Sequence, residues 1–358
     1  MLNADGQVEE GRYPFPELLH KLPDLRLMTR VARLYHEEGL NQNEVAHRLG
    51  LTQVAVSRLL KKAEKHGIVR TTVLTPPGTF ADLEGLLEEK FSLTQAIVGD
   101  AMRDSEEFVL NAIGSAAAQF IESTLKAGEV IGISSWSESL LSMVEHMHPP
   151  KKSENCLVVQ MLGGVGNPSA EQHANRLATR LARLVHGNAR FLPAPGVVGS
   201  GSAAKVLAQD PYVSEVVALF EKVTLALVGV GSIEPSALVA SSGNIFSREE
   251  LEALQRNGAV GDICFRFYDV NGRAVNGAFD SRVIGIDLAS LRRVPRSVAL
   301  CGGKRKFPAI LGALRGKWVN TLITDQYTAQ RLVKAEPPKT MAAESTMLNH
   351  REKNSNPS

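Results

Sequence analysis

The stretch NQNEVAHRLGLTQVAVSRLLKKAEKHG, residues 41–67, decides how the N-terminal part of this chain folds. Asn41 followed three residues later by Glu44 is the pattern of a capping box, which opens a helix running through Leu49. Val45, Ala46 and Leu49 fall on one face of it. Gly50 supplies the left-handed conformation of a tight turn, and Leu51 plugs a small core. Thr52 then caps a second helix, Gln53 to His66, which Gly67 ends as a C′ glycine. Val56, Leu59, Leu60 and Ala63 recur at helical spacing and point inward. That leaves Thr52, Gln53, Val54, Ala55, Ser57, Arg58, Lys61 and Lys62 at the start and on the outer side of the second helix.

A short helix, a glycine turn and a second, basic helix form a helix-turn-helix, whose second helix enters the DNA major groove by its N-terminal turns. Gln53 suits adenine, Arg58 suits guanine or a phosphate, and Val54 and Ala55 suit a thymine methyl. Lys61 and Lys62 lie further along, where phosphate contacts orient a protein without specifying sequence. From Leu40 to Thr75 there are six Lys/Arg against two acids, an excess that a solvated helix face would also show. It is the caps and the turn glycine that favour DNA. A preceding helix, Leu25–Glu38, carries Leu27, Val31, Leu34 and Tyr35 to cover the pair. Ile68–Val73 reads as an extended strand closing a winged arrangement.

Outward from this module the chain falls into five parts: a flexible arm (1–22), the helix-turn-helix domain (23–75), a linker (76–80), an effector domain (81–334) and a disordered tail (335–358). Pro76-Pro77-Gly78 cannot continue a helix, which places the linker. Beyond it, apolar strands alternate with amphipathic helices. Strands are predicted at Ala96–Val98, Val130–Ile133, Leu157–Leu162, Leu225–Val230, Val283–Ile286, Ser297–Cys301 and Thr321–Ile323. Helices are predicted at Asp82–Phe91, Glu106–Leu125, Ser169–Val185, Arg248–Arg256, Lys306–Leu314 and Ala329–Val333. The fold class that follows is α/β: an all-α winged helix-turn-helix, then a Rossmann-like domain with a parallel sheet covered on both faces.

Composition sets the outer bounds. Hydrophobic residues at 44% and charged residues at 22% fit a globular protein with a real core. No apolar run reaches the roughly 18–20 residues that span a bilayer, and MLNADGQVEEGRYPFPE lacks the basic and apolar regions of a signal peptide. A cytoplasmic location with no membrane association is the expectation. Cys156, Cys264 and Cys301 are scattered, which reads as reduced thiols and neither disulfides nor a zinc site. No cofactor or metal is expected.

At these residues the chain resembles the SorC family of sugar-responsive transcriptional regulators. LYHEEGLNQNEVAHRLGLTQVAVSRLLKKAEKHGIVR is similar to that family's DNA-binding segment. The resemblance continues through IGISSWSESL (131–140), LPAP (192–195), LVGVGS (227–232), GAVGDIC (258–264), CGGKRKFPAILGALRG (301–316) and LITDQYTA (322–329). What it implies is an effector domain resembling sugar-phosphate isomerases, a phosphorylated sugar, sugar or polyol as effector, operator DNA as partner, and a homotetramer or homodimer. The function implied is regulation of a carbohydrate-metabolism operon, as a repressor or an activator.

The residues themselves support a ligand site. IGISSWSESL follows a strand and leads into a helical stretch, and strand-to-helix loops at the carboxyl edge of a parallel sheet bind ligands. Backbone N–H groups there, with hydroxyls of Ser135, Ser137 and Ser139, suit a phosphate, although serines of this kind also serve as plain N-caps. The loop departs from the family's Ser-Trp-Gly-x-Thr form, with Ser137 for the glycine and Ser139 for the threonine. An added side chain at the expected phosphate position leaves an unphosphorylated ligand as an open alternative. The family's GG-x-x-K-x-x-A-I pattern places its lysine at Lys306, with Lys304 and Arg305 as neighbouring substitutes. Asp262 is a candidate acceptor for sugar hydroxyls, Asn175 a weaker one, and Gly163, Gly164 and Gly231 allow close backbone approach. The alternative is a sugar-phosphate isomerase or deaminase. Asp262, Asp269 and Asp280 and several histidines exist, but no spacing forces an acid–base pair together, so an enzyme is not expected.

Overall fold

The computed structural model describes residues 22–69, 78–150, 153–164, 168–234 and 247–337. The chain divides into two units, residues 1–74 and 75–358. The expected arm, the wing beyond Val69, Pro76 and Pro77 of the linker and the tail beyond residue 337 lie outside the described residues.

Among the described residues the first unit has three helices, α1 (Leu22–His36), α2 (Gln42–Leu49) and α3 (Gln53–Lys65). The capping box at the start of α2 is complete. Asn41 Oδ1 accepts from the amides of Asn43 and Glu44, and the Asn41 amide donates to Glu44 Oε2 at 2.7 Å. Gly50 takes φ 65°, where a Cβ would be strained. Thr52 Oγ1 accepts from the Ala55 amide and starts α3. Val31 and Leu34 from α1, Val45 and Ala46 from α2, and Val56 and Leu60 from α3 form the core.

The second unit is built on a seven-stranded parallel sheet in the order β1-β10-β9-β5-β2-β3-β4. The strands are β1 (Gln95–Gly99), β2 (Val130–Ile133), β3 (Leu157–Gln160), β4 (Asn188–Arg190), β5 (Leu225–Gly229), β9 (Arg296–Leu300) and β10 (Thr321–Asp325). β5 shows why both faces need cover: Leu225 and Leu227 point into one core, Ala226 and Val228 into the other. The helix Glu106–Thr124 and its neighbours close the first side. In chain order α4 (Ala81–Phe91), α5 (Glu106–Thr124), α6 (Glu138–His146) and α7 (Pro168–Leu184) precede β4. Ile121 of α5, Met143 of α6 and Leu181 of α7 cover Leu225 and Leu227. Leu87 of α4, Ile310 of the helix Phe307–Arg315 and Leu332 of the helix Gln326–Lys334 cover the other face.

A second, antiparallel sheet, β6 (Gly231–Ser232), β7 (Ala259–Ile263) and β8 (Arg266–Asp269), was not foreseen. The reverse correction applies to Val283–Ile286, which is not a strand of either sheet. Its amides go to loops instead: Ile284 to Gly196 O and Ile286 to Met161 O. Among the described residues its bridges are isolated ones, Val197 with Val283 and Leu162 with Gly285.

Strand order fixes where a ligand fits. From β2 the chain runs outward through β3 to β4, then returns to β5 on the other side of β2 and continues to β9 and β10. The direction of winding therefore reverses between β2 and β5, and the crevice at their carboxyl ends is the topological switch point.

Candidate functional site

On the first unit, the outer side of α3 faces solvent. Thr52, Gln53, Arg58, Lys61 and Lys62 are exposed, Val54 is 61% exposed, and Ala55 and Ser57 are half-buried. Val56, Leu60 and Ala63 are buried on the opposite side. An apolar valine left in water at the second residue of the helix, beside glutamine and arginine, makes a face with both base-reading and methyl-contacting chemistry.

In the second unit the switch point holds a cavity. The loop after β2 gives Ser134, Trp136, Ser137 and Glu138; the end of β5 gives Gly229 and Gly231; the β7–β8 hairpin gives Asp262, Phe265 and Phe267; the loop after β9 gives Arg305 and Lys306. An adjoining chamber is lined by Ser139, Gly302 and Gly303 and shares Glu138, Arg305 and Lys306 with the first.

The serine loop is tightly wired. The Gly229 amide donates to Ser134 Oγ at 3.1 Å, and the Leu140 amide to Ser137 Oγ at 3.3 Å, so Ser137 is the N-cap of α6. A Cβ on Gly229 would collide with Ser137 Oγ, so this glycine is what lets the serine sit there. Ser135 Oγ and Trp136 Nε1 are buried without a hydrogen-bond partner among the described residues. Ser135 lines neither chamber, whereas Ser139 is buried and lines the adjoining one.

Asp262 pairs with Gly231 across β6 and β7, and a Cβ on Gly231 would meet its Oδ1. Its Oδ2 accepts from the Phe265 amide at 2.9 Å. That bond supports a two-residue turn in which Cys264 and Phe265 have φ 53° and 59°, the turn usually given to Asn-Gly. Burial pushes the Asp262 carboxyl up to about 6, while the Phe265 amide and the Lys306 ammonium pull it down. Burial likewise pushes the thiols of Cys264 and Cys301 up to about 12, which makes them poor nucleophiles.

Lys306 is the N-cap residue of the helix Phe307–Arg315 and makes no ion pair among the described residues. Its neighbours are taken: Lys304 pairs with Asp104 at 3.2 Å, and Arg305 with Glu106 at 3.1 Å and with Ser232 Oγ at 2.9 Å. They hold the loop, which leaves Lys306, among the described residues, as the cation that lines both chambers without an ion-pair partner.

The structure thus brings together Ser137, Ser139, Gly231, Asp262 and Lys306. It does not bring Gly163, Gly164 or Asn175 to them. The Gly163 amide donates to Ile284 O and the Gly164 amide to Ala194 O, which knits two loops. Asn175 Oδ1 accepts from Gln160 Nε2 at 3.1 Å at the end of β3. Trp136, Glu138, Phe265 and Phe267 were missed. The alternation Phe265-Arg266-Phe267 was a strand signal, but no glycine or asparagine marked its turn.

Comparisons with known proteins identify the family and the fold. Residues 76–334 match the family model described as a putative sugar-binding domain. The deoxyribonucleoside regulator of Bacillus subtilis (strain 168) is 32% identical over 311 residues, 86% of this chain and 97% of that protein. The crystal structure of the full-length sorbitol operon regulator SorC from Klebsiella pneumoniae aligns with a TM-score of 0.66 and 30% identity, covering 87% of this chain and 99% of that one. A putative sugar-binding domain of the transcriptional regulator DeoR from Pseudomonas syringae pv. tomato is 39% identical with a TM-score of 0.57, over 71% of this chain and 99% of that chain. These relatives are regulators and not enzymes, so the isomerase alternative has no support. Among the described residues no helix is long and apolar enough to cross a membrane. The chain belongs to the SorC family of transcriptional regulators that carry a sugar-binding domain.

Proposed function

We propose that this regulator reads its operator with the outer side of α3 and is switched by a polyhydroxylated effector held at the β2/β5 crevice. The observation that carries the reading is the presence of Asp262 and Lys306 on the lining of one cavity at the switch point, walled by Trp136, Phe265 and Phe267. A carboxylate accepts from one hydroxyl of a sugar or polyol, an ammonium donates to the next, and apolar rings cover the C–H face. Thr52, Gln53, Val54, Ala55, Ser57 and Arg58 meet base edges and the nearby backbone, and Lys61 and Lys62 meet phosphates.

One helix pair offers few base contacts, so the binding form is a homodimer or homotetramer on a pseudo-palindromic site. The effector shifts the balance between two arrangements of the subunits, which requires differential affinity of about 1–3 kcal/mol. Relatives named as a deoxyribonucleoside regulator and a sorbitol operon regulator support a sugar or polyol as the effector.

The test is selection of fragments from the source genome on the full-length protein, followed by binding titrations with and without a panel of sugars, polyols and their phosphates. A fragment preferred over random duplex, with affinity changed by one panel member, is the expected result. Binding that shows no preference for any fragment, with every panel member tried, would end the reading.

A further inference from the structure

Resting on the effector reading above, we infer that Ser137 sets the ligand class: the crevice takes an uncharged sugar or polyol in preference to its phosphate ester. The start of a helix at a switch point is ordinarily the anion site of this architecture, because its N–H groups are unsatisfied. Here the loop supplies its own acceptor for one of them: Ser137 Oγ takes the Leu140 amide, while Ser134 Oγ takes the Gly229 amide at the end of β5. Ser137 is itself buried, seated on Gly229, and lines the cavity, so its side chain occupies the space that a phosphate oxygen would need to reach the Leu140 amide.

The charges point the same way. Among the described residues the cavity is lined by two acids, Glu138 and Asp262, and two cations, Arg305 and Lys306. Arg305 is already engaged with Glu106 and Ser232. A dianion entering would find Lys306 with Asp262 at its side and no surplus of positive charge. A neutral ligand uses the same groups without conflict: Asp262 accepts, Lys306 donates, and the second lone pair of Ser137 Oγ accepts from a ligand O–H, which a phosphate dianion does not carry.

The experiment compares the full-length protein with Ser137→Gly by thermal shift and calorimetry. The ligands are free pentoses, hexoses and hexitols, the same compounds as terminal phosphate monoesters, and inorganic phosphate alone. Glycine is a tolerated N-cap, and unfolding of the ligand-free variant checks that it folds. Ser137→Asn, which keeps a capping oxygen, is the second variant. The wild-type protein is expected to bind one free compound at least tenfold more tightly than its monophosphate. Ser137→Gly should narrow or invert that ratio by tenfold or more and gain a response to inorganic phosphate, and Ser137→Asn should keep the wild-type preference. A wild-type protein that prefers the monophosphate, or treats both alike, overturns the inference and leaves the effector reading standing. A wild-type protein stabilised by no compound of either series overturns the effector reading itself.

Discussion

The recognition helix and the effector cavity are built in opposite ways. The face of α3 is convex, basic and made by one helix of 13 residues resting on a core of a few side chains. The cavity is concave, balanced in charge, and assembled from loops spread from Ser134 to Lys306 over two cores that sandwich a seven-stranded sheet. The first depends on little and is easily lost by removing one methyl group too many. The second sits on a large scaffold that tolerates a local change, so substitutions there alter affinity and titration before they alter folding. A unit of that small size has only a few kcal/mol of stability to lose.

The largest effect should therefore come from the smaller core. Leu60 is buried where α3 meets α1 and α2. Leu60→Ala is expected to cost about 2–5 kcal/mol, enough to unfold the first unit. Followed by circular dichroism and calorimetry, the variant should lose a low-temperature transition and all sequence-specific DNA binding, while ligands still raise the melting temperature of the second unit. A single transition that falls as one would show that the two units do not melt separately.

Next in size is the titration of Asp262. Its carboxyl ionises near 6 in the folded chain against 3.8 for the ordinary group. Between those values the folded state holds a proton that the unfolded state has released. The stabilisation this gives is complete below about pH 4 and is lost as pH rises through 6. A shift of this size corresponds to about 2–3 kcal/mol at most. Asp262→Asn keeps an acceptor for the Phe265 amide but cannot ionise, so it should be more stable than wild type at pH 7.5 and no more stable at pH 4. The same variant should bind the effector at least tenfold less tightly at pH 7.5. Urea midpoints that stay parallel from pH 4 to 7.5 would refute the burial argument.

The contrast also explains what could be read from sequence. The helix-turn-helix was legible to within a residue or two because its signals are local: Asn41 with Glu44, Gly50, Thr52 and the spacing of Val56, Leu60 and Ala63. The parallel sheet was legible because strands buried on both faces are short apolar runs. The cavity was legible where a residue follows a strand, as Ser137, Ser139, Gly231 and Lys306 do, and at Asp262 within GAVGDIC. The hairpin that carries Asp262, Phe265 and Phe267 turns through Cys264-Phe265, two side chains at positive φ that no turn rule selects. Its cost is met by the Phe265 amide bonding to Asp262, a tertiary detail with no signature in composition. Val283–Ile286 misled for the converse reason: a β-branched run is equally suited to a buried loop whose amides bond to other loops. Gly163 and Gly164 follow a strand but serve loop contacts, and Asn175 serves Gln160.

A smaller effect separates the two kinds of DNA contact on α3. Arg58→Ala should lose about 1–3 kcal/mol of binding to the preferred operator and relax discrimination at one base position. Lys61→Ala should weaken all duplexes alike and reduce the salt slope of binding by about 1. Fluorescence anisotropy across a salt series, on the operator and on single-base variants, checks both. Equal losses on every sequence for both variants would place Arg58 on the phosphates.

The smallest expected effect tests whether the recognition face depends on α2 for position or only for stability. Asn41 and Glu44 satisfy each other's ends of an eight-residue helix through bonds of 2.7–3.1 Å. Asn41→Ala removes the side-chain acceptor and should cost about 1 kcal/mol, seen as a lower melting temperature of the first unit alone. Because the core residues Val45 and Ala46 remain, α3 keeps its seat once the unit is folded. DNA affinity should then fall at temperatures near the lowered transition and recover fully below it, with base discrimination unchanged throughout. If discrimination is lost at low temperature as well, the cap does more than stabilise: it sets the angle at which α3 meets the duplex, and the small unit would prove as finely positioned as the cavity.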